Sequence, residues 1–291
     1  MRYFVFCKDQ LIVPMPLESD LQKGSSQGSA GKGEPYLDTL VLTWQGFPDW
    51  QGFPGDDPVD VLKLAHRVHF RFENEEYCVL SLDQAEEGHF KKLAHIKVRE
   101  LIGTLDSKSM ALVIRAMAYA NWSLVSNFCG ACGSPLQEGE GEEHLAKVCS
   151  TCGRVFFPRM SPAVIVLIHK EDRILLAHNL SFPDGRYGLI AGFVELGETF
   201  EQTVHREVME EAGIEIYEPR YVRSQPWPFP DSLMVAFEAD WKAGEPRPDG
   251  KEIGALGWFK LDELPNIPLR GSVARYLIDH AVEQSRKQNK T

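Results

Sequence analysis

The sequence lacks an apolar run long enough to cross a membrane, and it lacks an excess of positive charge. Its 31 lysine and arginine residues face 42 aspartate and glutamate residues, for a formal net charge of −11. A general polyanion-binding surface is therefore not expected, and any contact with nucleic acid should be local. The first residues lack the pattern of a cleavable signal peptide, and the last ones lack a peroxisomal SKL signal. We expect a cytoplasmic protein that does not enter a membrane.

Cysteine is scarce, and four of the six cysteines form two C-x-x-C pairs with sixteen residues between the pairs. The pairs are Cys129 with Cys132 and Cys149 with Cys152, and a glycine follows each pair. In a cytosolic chain this pattern favours metal binding over disulfides, and a redox dithiol would need only one pair. Four thiolates favour tetrahedral Zn²⁺ in a structural role, because no coordination position stays open. The loop between the pairs is acidic, which counts against phosphate binding by this zinc ribbon.

The N-terminal part, residues 1–125, is predicted to be an α+β domain that precedes the zinc ribbon at residues 126–157. Strand-like segments lie at residues 3–5, 39–42, 68–72 and 77–80, and residues 23–33 form a Gly/Ser-rich loop. A helical pattern runs from residue 97 to residue 126. Its predicted core positions are Met110, Ile114, Met117, Ala118, Trp122 and Val125.

The remaining residues, 158–291, alternate strand-like and helical segments. Predicted strands lie at residues 163–169, 173–177, 187–193, 221–226, 232–240 and 256–260. Predicted helices lie at residues 200–212 and 272–283, the second with Val273, Tyr276, Leu277 and His280 on one side. This order suits an α/β/α sandwich around a mixed sheet.

The most informative stretch is residues 192–214, GFVELGETFEQTVHREVMEEAGI. Thr199 and Gln202 fit a capping box at the start of its helix, and Gly213 is suited to end that helix. Apolar residues recur every four positions and form one stripe, at Phe200, Val204, Val208 and Ala212.

Three carboxylates, those of Glu207, Glu210 and Glu211, share a different face of this helix, because they stand at positions i, i+3 and i+4. Like charges crowded on one face repel each other, whereas a hard divalent cation such as Mg²⁺ takes oxygen ligands. Arg206 lies one turn before Glu210 and is placed to hold a carboxylate in a bidentate pair. A solvated glutamate-rich face is the alternative. That alternative does not explain why several residues stand at fixed offsets from one another, namely Gly192, Glu198, Arg206, Glu207, Gly213 and Ile214.

Residues 192–214 resemble the signature of the Nudix hydrolase family, and every specified position of that signature is met. The resemblance implies a mixed α/β/α sandwich in which a metal helps water attack a diphosphate bond. It implies Mg²⁺ or Mn²⁺ held by the three glutamates named above, with Glu252 and the carbonyl of Ala191. Arg206 and Glu198 would orient the cluster. Glu211 is favoured as the general base or as a ligand that holds the metal, and the two roles stay open.

A second motif, SQPWPFPDS, begins at Ser224. Alone it would indicate a polyproline segment or a connection at a sheet edge. It resembles the array that marks the NADH pyrophosphatase branch of Nudix enzymes, with all fixed positions matched. The resemblance implies substrate contacts at Gln225, Pro226, Trp227, Pro228, Phe229, Pro230, Asp231 and Ser232.

By the same resemblance, four further positions are candidates for substrate contact. Phe157 and Phe193 would stack on a base, and Ala274 would offer a backbone contact. Arg99 is a candidate for a phosphate contact, with an exposed structural arginine as the alternative.

These observations predict hydrolysis of NADH to reduced nicotinamide mononucleotide and AMP, with NAD⁺ and RNA carrying a 5′ NAD cap as further substrates. The family resemblance implies a homodimer. Two other functions stay open. One is a Nudix hydrolase for ADP-ribose or an oxidised nucleotide, which would have no use for the SQPWPFPDS array. The other is a non-catalytic zinc-ribbon module that binds RNA.

Overall fold

The computed structural model describes residues 2–7, 9–13, 42–43, 66–82, 94–139 and 145–288, and the chain divides into two compact units. The first unit comprises Met1–Arg159 and Pro228–Asp231, so it contains both the predicted N-terminal domain and the predicted ribbon. The second unit comprises Met160–Trp227 and Ser232–Thr291. The predicted loop at residues 23–33 and most of the predicted strand at residues 39–42 lie outside the described residues.

A six-stranded sheet forms the centre of the first unit. Its strands are β1 (Arg2–Cys7), β2 (Gln10–Val13), β3 (Leu42–Thr43), β4 (His66–Phe72), β5 (Glu75–Leu82) and β6 (Ala94–Lys97). Their order is β4-β5-β1-β2-β6, and β3 pairs with β1. Strands β1 and β5 are parallel, and the other pairs are antiparallel. Consecutive residues are buried in β1, from Phe4 to Cys7, and in β5, from Tyr77 to Leu80, so these two central strands are buried on both faces.

Two helices, α1 (Val98–Leu101) and α2 (Ser107–Val125), follow this sheet. The sequence predicts one helical stretch here, but the chain leaves the helix after Leu101 and starts again where the Asp106 carboxylate accepts hydrogen bonds from Lys108 and Ser109. Helix α2 buries a stripe of residues against the sheet, namely Leu112, Val113, Ala116, Met117 and Ala120.

The predicted core face of α2 is partly wrong. Ile114, Met117 and Trp122 are buried, whereas Ala118 is exposed and Val125 is 74% exposed. Adjacent helical residues point about 100° apart, so Ala118 turns away from the face that Met117 occupies. Val125 is the last residue of the helix, beyond the buried stripe.

The ribbon forms a three-stranded antiparallel sheet of β7 (Leu136–Glu138), β8 (Lys147–Cys149) and β9 (Val155–Phe156). Lys147 in β8 is buried, and its Nζ donates to the carbonyls of Ser123 and Ser126 at 3.0 and 2.7 Å. Carbonyls at a helix C-terminus lack partners within the helix. Lys147 therefore satisfies the end of α2 and ties the ribbon to it.

The second unit is built on a seven-stranded mixed sheet. Its strands are β10 (Ser161–Lys170), β11 (Arg173–Asn179), β12 (Ile190–Phe193), β13 (Glu215–Ile216), β14 (Arg220–Trp227), β15 (Ser232–Ala243) and β16 (Ile253–Lys260). Their order is β13-β15-β10-β11-β16, with β12 paired to β10 and β14 paired to β15. Strand β10 is parallel to β15 and antiparallel to β11 and β12.

Helices α3 (Phe200–Ala212) and α4 (Val273–Gln288) cover opposite faces of this sheet. Val164 in β10 belongs to the core with Val208 of α3, whereas Ile165 belongs to the core with Leu277 of α4. Successive strand residues point to opposite faces, so a strand buried on both faces has a continuous apolar run. The predicted α/β/α sandwich with a mixed sheet is confirmed.

Several details of the second unit differ from the sequence prediction. Strand β13 was not predicted, β16 begins three residues earlier than predicted, and α4 ends five residues later. Strand β12 begins at Ile190, three residues later than predicted. On α4, Val273 and Leu277 are buried, whereas Tyr276 is 41% exposed. Among the described residues, no helix has the length and apolar character needed to cross a membrane.

Candidate active site

The signature helix α3 begins and ends as its sequence predicts. The Thr199 hydroxyl accepts a hydrogen bond from Gln202 N at 3.3 Å, and the Gln202 side chain accepts one from Thr199 N at 2.8 Å. This reciprocal pair is a capping box, which satisfies two of the amides that lack partners at a helix start. Gly213 ends the helix with φ at 66°, in the left-handed region that glycine adopts without strain.

The three glutamates of α3 are not equivalent. Glu207 and Glu211 are buried, with 9% and 7% of their surface exposed, whereas the side chain of Glu210 is 60% exposed. Positions i+3 and i+4 lie on opposite flanks of position i, about 100° apart around the helix, so one flank can face the sheet while the other faces solvent. Two carboxylates therefore point toward the protein interior, and the third lies at the solvent edge of the cluster.

Arg206 connects the cluster to the loop before the helix. Its guanidinium binds both oxygens of Glu198, at 2.7 and 2.9 Å, in the bidentate arrangement that the sequence predicts. It also donates to Glu207 at 2.8 Å, to Glu210 at 3.0 Å and to the carbonyl of Phe193 at 2.9 Å. The guanidinium of Arg206 therefore holds three carboxylates and the last residue of β12.

Strand β12 lies directly against the buried carboxylates. A Cβ atom added to Gly192 would lie 1.9 Å from Glu207 Oε1, so only glycine leaves room for that carboxylate. The backbone N–H of the preceding residue, Ala191, donates a hydrogen bond to Glu211. This close approach gives a physical reason for the glycine that opens the signature.

The pKa values reflect the crowding of negative charge. Burial, together with the charges of Glu207, Glu252 and Asp249, raises the pKa of Glu211 to about 8. Burial also raises the pKa of Glu207, although Arg206 opposes the shift. By contrast, hydrogen bonds from Arg206 lower the pKa of Glu198 to about 2. Arg206 therefore stabilises the ionised form of Glu198, whereas the surroundings of Glu211 destabilise its ionised form.

This donor set suits a hard divalent cation. Mg²⁺ and Mn²⁺ take carboxylate oxygens, and a bound cation lowers the free energy of closely spaced negative charges. Glu252 and Asp249 arrive from the loop before β16, and both charges act on Glu211. Glu252 is a sequence-predicted ligand, whereas Asp249 is a residue that sequence reasoning missed. The Asp-Gly pair at residue 249 is typical of a turn closed by an aspartate side chain, which was an available signal.

The SQPWPFPDS array is divided between the two units. Gln225, in β14, uses its amide to bind backbone at the start of α4, with Gly271 O at 2.9 Å and Val273 N at 2.7 Å. Gln225 thereby supports the start of α4, and its predicted contact with a nucleotide stays a prediction. Ser232, at the start of β15, is buried.

The tip of the array, Pro228–Asp231, belongs to the first unit. Asn121 of α2 donates its side-chain amide to the carbonyls of Pro228 and Pro230, at 2.9 and 2.8 Å. The Phe229 ring contacts the core of this unit, and the guanidinium carbon of Arg99 lies 4.5 Å from the ring centroid. Asn121 is a second residue that sequence reasoning missed, because nothing in α2 marks it.

The other predicted substrate residues have varied surroundings. Phe193 in the second unit is 55% exposed, and Phe157 in the first unit is 61% exposed, so both rings are accessible for stacking. Trp227 and Ala274 are half-buried in the second unit, and Pro226 is exposed there. The substrate contacts of all these residues stay predictions.

The four paired cysteines converge in the first unit. Sulfur atoms lie 3.7 Å apart for Cys129 and Cys152, 3.4 Å for Cys132 and Cys149, and 3.7 Å for Cys132 and Cys152. Tetrahedral zinc with Zn–S bonds of about 2.3 Å would separate its sulfurs by roughly 3.8 Å, so the cluster fits that ion. Among the described residues, these cysteines are the only group of three or more His, Cys, Asp or Glu side chains that could hold a metal ion, and their ligand atoms lie within 4.8 Å of one another.

Each cysteine pair lies in a tight turn that ends at the glycine after its second cysteine. Gly133 and Gly153 have φ of 73° and 68°, and their amides donate to the carbonyls of Cys129 and Cys149 at 2.8 and 3.0 Å. Hydrogen bonds from Ser134 lower the pKa of Cys132 to about 6, which favours the thiolate that binds metal.

The second unit therefore combines an α/β/α sandwich with a cluster of glutamates on a capped helix, and such carboxylates suit a divalent cation. A model of the NUDIX domain matches residues 159–280. The chain belongs to the Nudix hydrolase family.

Similarity to individual proteins extends beyond that domain. The chain is 44% identical over 191 residues to a protein named NAD-capped RNA hydrolase NudC from Salmonella paratyphi B, covering 66% of this chain and 73% of the relative. It is 43% identical over 182 residues to a protein of the same name from Stutzerimonas stutzeri, covering 62% of this chain and 65% of the relative. A crystal structure of a NUDIX hydrolase from Nitrosomonas europaea matches with 26% identity and a TM-score of 0.48, covering 55% of this chain and 93% of the other.

Proposed function

We propose that the protein hydrolyses the diphosphate bond of NADH, and of NAD⁺ and 5′ NAD caps on RNA. The reaction on NADH consumes one water and gives reduced nicotinamide mononucleotide and AMP. The observation that carries this proposal is the cluster of Glu207, Glu211 and Glu252 on a Nudix fold, in a chain with the SQPWPFPDS array. The names of the two relatives support the same substrate class.

Mg²⁺ or Mn²⁺ would be held by Glu207 and Glu211, with Glu210, Glu252 and the carbonyl of Ala191. Such a cation neutralises the diphosphate and lowers the pKa of bound water. Arg206 keeps the carboxylates of the cluster in position, because it binds Glu198, Glu207 and Glu210 at the same time. Glu211 would serve as the general base or as a ligand that holds the metal, because it is buried one turn after Glu207 on the same face of α3.

Zinc in this proposal is structural. Four cysteine thiolates fill a tetrahedral coordination sphere, so no position stays open for water or substrate. The ribbon would instead stabilise a segment that is too small to have a core of its own. Removal of the catalytic cation should therefore abolish hydrolysis without unfolding the ribbon.

The proposal is tested by a comparison of four substrates with the full-length protein. NADH, NAD⁺, ADP-ribose and a short NAD-capped RNA are each incubated with Mg²⁺ or Mn²⁺, and the products are separated by chromatography. We expect the highest kcat/KM for NADH or the capped RNA, with AMP or a 5′-monophosphate RNA as product. Preferred cleavage of ADP-ribose would instead favour the second hydrolase function. Metal-independent retention of RNA without any cleavage would favour the binding module.

We also propose that the protein is a cytoplasmic homodimer, as the family resemblance implies. Sedimentation velocity of the purified chain over a range of concentrations measures the oligomeric state. A sedimentation coefficient that corresponds to 32.8 kDa at all concentrations would contradict the dimer.

A further inference from the structure

Asp249 opens a tight loop that ends at the predicted ligand Glu252. Its carboxylate accepts hydrogen bonds from three consecutive backbone amides, those of Lys251 at 3.1 Å, Glu252 at 3.1 Å and Ile253 at 2.8 Å. Gly250, with φ at 70°, donates its own amide to the carbonyl of Ile253 at 3.1 Å. The side chain of Asp249 therefore fixes the conformation of the loop from residue 249 to residue 253.

The same loop is attached to its surroundings at both ends. The amide of Arg247 donates to the carbonyl of Ala212, the last residue of α3, at 2.9 Å. The carbonyl of Glu252 accepts from the amide of Leu180 at 2.8 Å. The loop that carries Glu252 is therefore tied to the C-terminus of the helix that carries Glu207 and Glu211.

Electrostatics alone would not keep Glu252 in this place. Its charge raises the pKa of both Glu207 and Glu211, so the three carboxylates repel each other. Asp249 adds further negative charge near Glu211. The three amide hydrogen bonds that Asp249 accepts offset this repulsion, because they fix the loop that carries Glu252.

We propose that Asp249 is a positioning residue that holds Glu252 beside Glu207 and Glu211 and so completes the divalent-cation site. The inference rests on the proposed function, because it assumes that this cluster binds the catalytic cation. Partners that orient a metal ligand commonly contribute about 10- to 100-fold in metal affinity. Asp249 would contribute to metal affinity through its hydrogen bonds to the backbone around the metal ligand Glu252.

The test measures Mn²⁺ affinity of the full-length protein without substrate, by the loss of the free-ion signal in electron paramagnetic resonance. We expect Asp249→Ala to weaken Mn²⁺ binding about tenfold or more. Asp249→Asn should keep most of the affinity, because the amide oxygen still accepts the backbone hydrogen bonds. Glu252→Gln should weaken binding, and the double variant Asp249→Ala/Glu252→Gln should be no weaker than Glu252→Gln alone. Asp240→Ala, an exposed carboxylate elsewhere in the second unit, serves as the matched control.

Three results would overturn the inference. Asp249→Ala could bind Mn²⁺ like the wild type, Asp249→Asn could be as weak as Asp249→Ala, or the losses in the double variant could add. The last two would mean that the charge of Asp249 acts on the cation directly. A wild-type protein that binds Mn²⁺ but leaves NADH and capped RNA intact would refute the proposed function while the role of Asp249 stands.

Discussion

At the scale of single residues, the candidate site depends on how closely the chain approaches its own carboxylates. Gly192 leaves room for the carboxylate of Glu207, and the amide of its neighbour Ala191 binds Glu211. Arg206 also binds the carboxylate of Glu207, and it binds that of Glu210 as well. The positions of these carboxylates therefore depend on the absent side chain of Gly192, the backbone amide of Ala191 and the guanidinium of Arg206.

The first prediction concerns Gly192→Ala. A Cβ at this position would lie 1.9 Å from Glu207 Oε1, so Glu207 must move. Displacement of a catalytic group by about 1 Å can cost roughly 100-fold in rate, and we expect kcat/KM for NADH to fall by at least that factor. Steady-state kinetics with Mn²⁺ checks this.

The matched control for that variant is Gly257→Ala in β16. Its added Cβ would meet only Phe259, at 3.8 Å, an ordinary van der Waals distance. We expect activity close to that of the wild type. Equal losses in both variants would mean that Gly192 acts through the stability of the sheet instead of through Glu207.

Much of the residue-scale chemistry was predictable from spacing, and part of it was not. The offsets within residues 192–214 predict which carboxylates share α3 and which arginine binds them, because these are local properties of a helix. The burial of Glu207 and Glu211 but not of Glu210 depends on where the sheet lies. Asp249 was missed for a related reason, since its role requires a loop brought to α3 by tertiary contacts.

At the scale of elements, a polar contact connects α4 to the sheet of the second unit. Glu238 in β15 accepts a hydrogen bond from His280 of α4 at 3.2 Å, and His169 of β10 lies 3.7 Å from its other oxygen. These contacts, with His169 the larger cause, hold the pKa of Glu238 below its ordinary value. The ionised carboxylate therefore stabilises the packing of α4 on the sheet.

The second prediction concerns Glu238→Gln. The pKa of Glu238 is lower in the folded state than its ordinary value of 4.5, so its contribution to stability is present above about pH 4.5 and is lost as the pH falls through the folded-state pKa. We expect the variant to lose about 1 kcal/mol of unfolding free energy at pH 6. The difference from the wild type should shrink as the pH falls below about 4.5, as measured by urea denaturation at a series of pH values.

The control for this prediction is Asp240→Asn, which breaks an exposed pair with Arg220. Exposed ion pairs contribute little, so its effect should be small at every pH. A loss in Glu238→Gln that stays constant or grows in acid would argue against ionisation of Glu238 as the cause.

The third prediction concerns the ribbon. Cys149→Ser removes one of four sulfur ligands, and the protein should lose most of its zinc and unfold at a lower temperature, because metal binding is coupled to the folding of small ribbons. Metal analysis and thermal denaturation check this. Cys78→Ala removes a buried cysteine outside the cluster and should keep its zinc. Full zinc retention in Cys149→Ser would refute the four-cysteine site.

At the scale of the whole molecule, the chain combines two compact units with different sources of stability. The first has a sheet covered by α2 and a ribbon with four clustered thiols. The second has two apolar cores on opposite faces of one sheet. Periodicity predicts the second unit well, because β10 and α3 have strong apolar patterns. It predicts the first less well, because the helical pattern at residues 97–126 does not reveal that the chain leaves the helix between Leu101 and Ser107.

The central claim, that the carboxylates of α3 drive hydrolysis of the NADH diphosphate bond, is tested most directly with Glu211→Gln. Release of AMP from NADH is measured with Mn²⁺ for the wild type, for this variant and for Glu201→Gln, which removes an acid from the first turn of the same helix. We predict that Glu211→Gln lowers kcat by roughly 10²- to 10⁴-fold while zinc content and folding hold, and that Glu201→Gln stays near the wild type. Near-wild-type turnover in Glu211→Gln would contradict the claim.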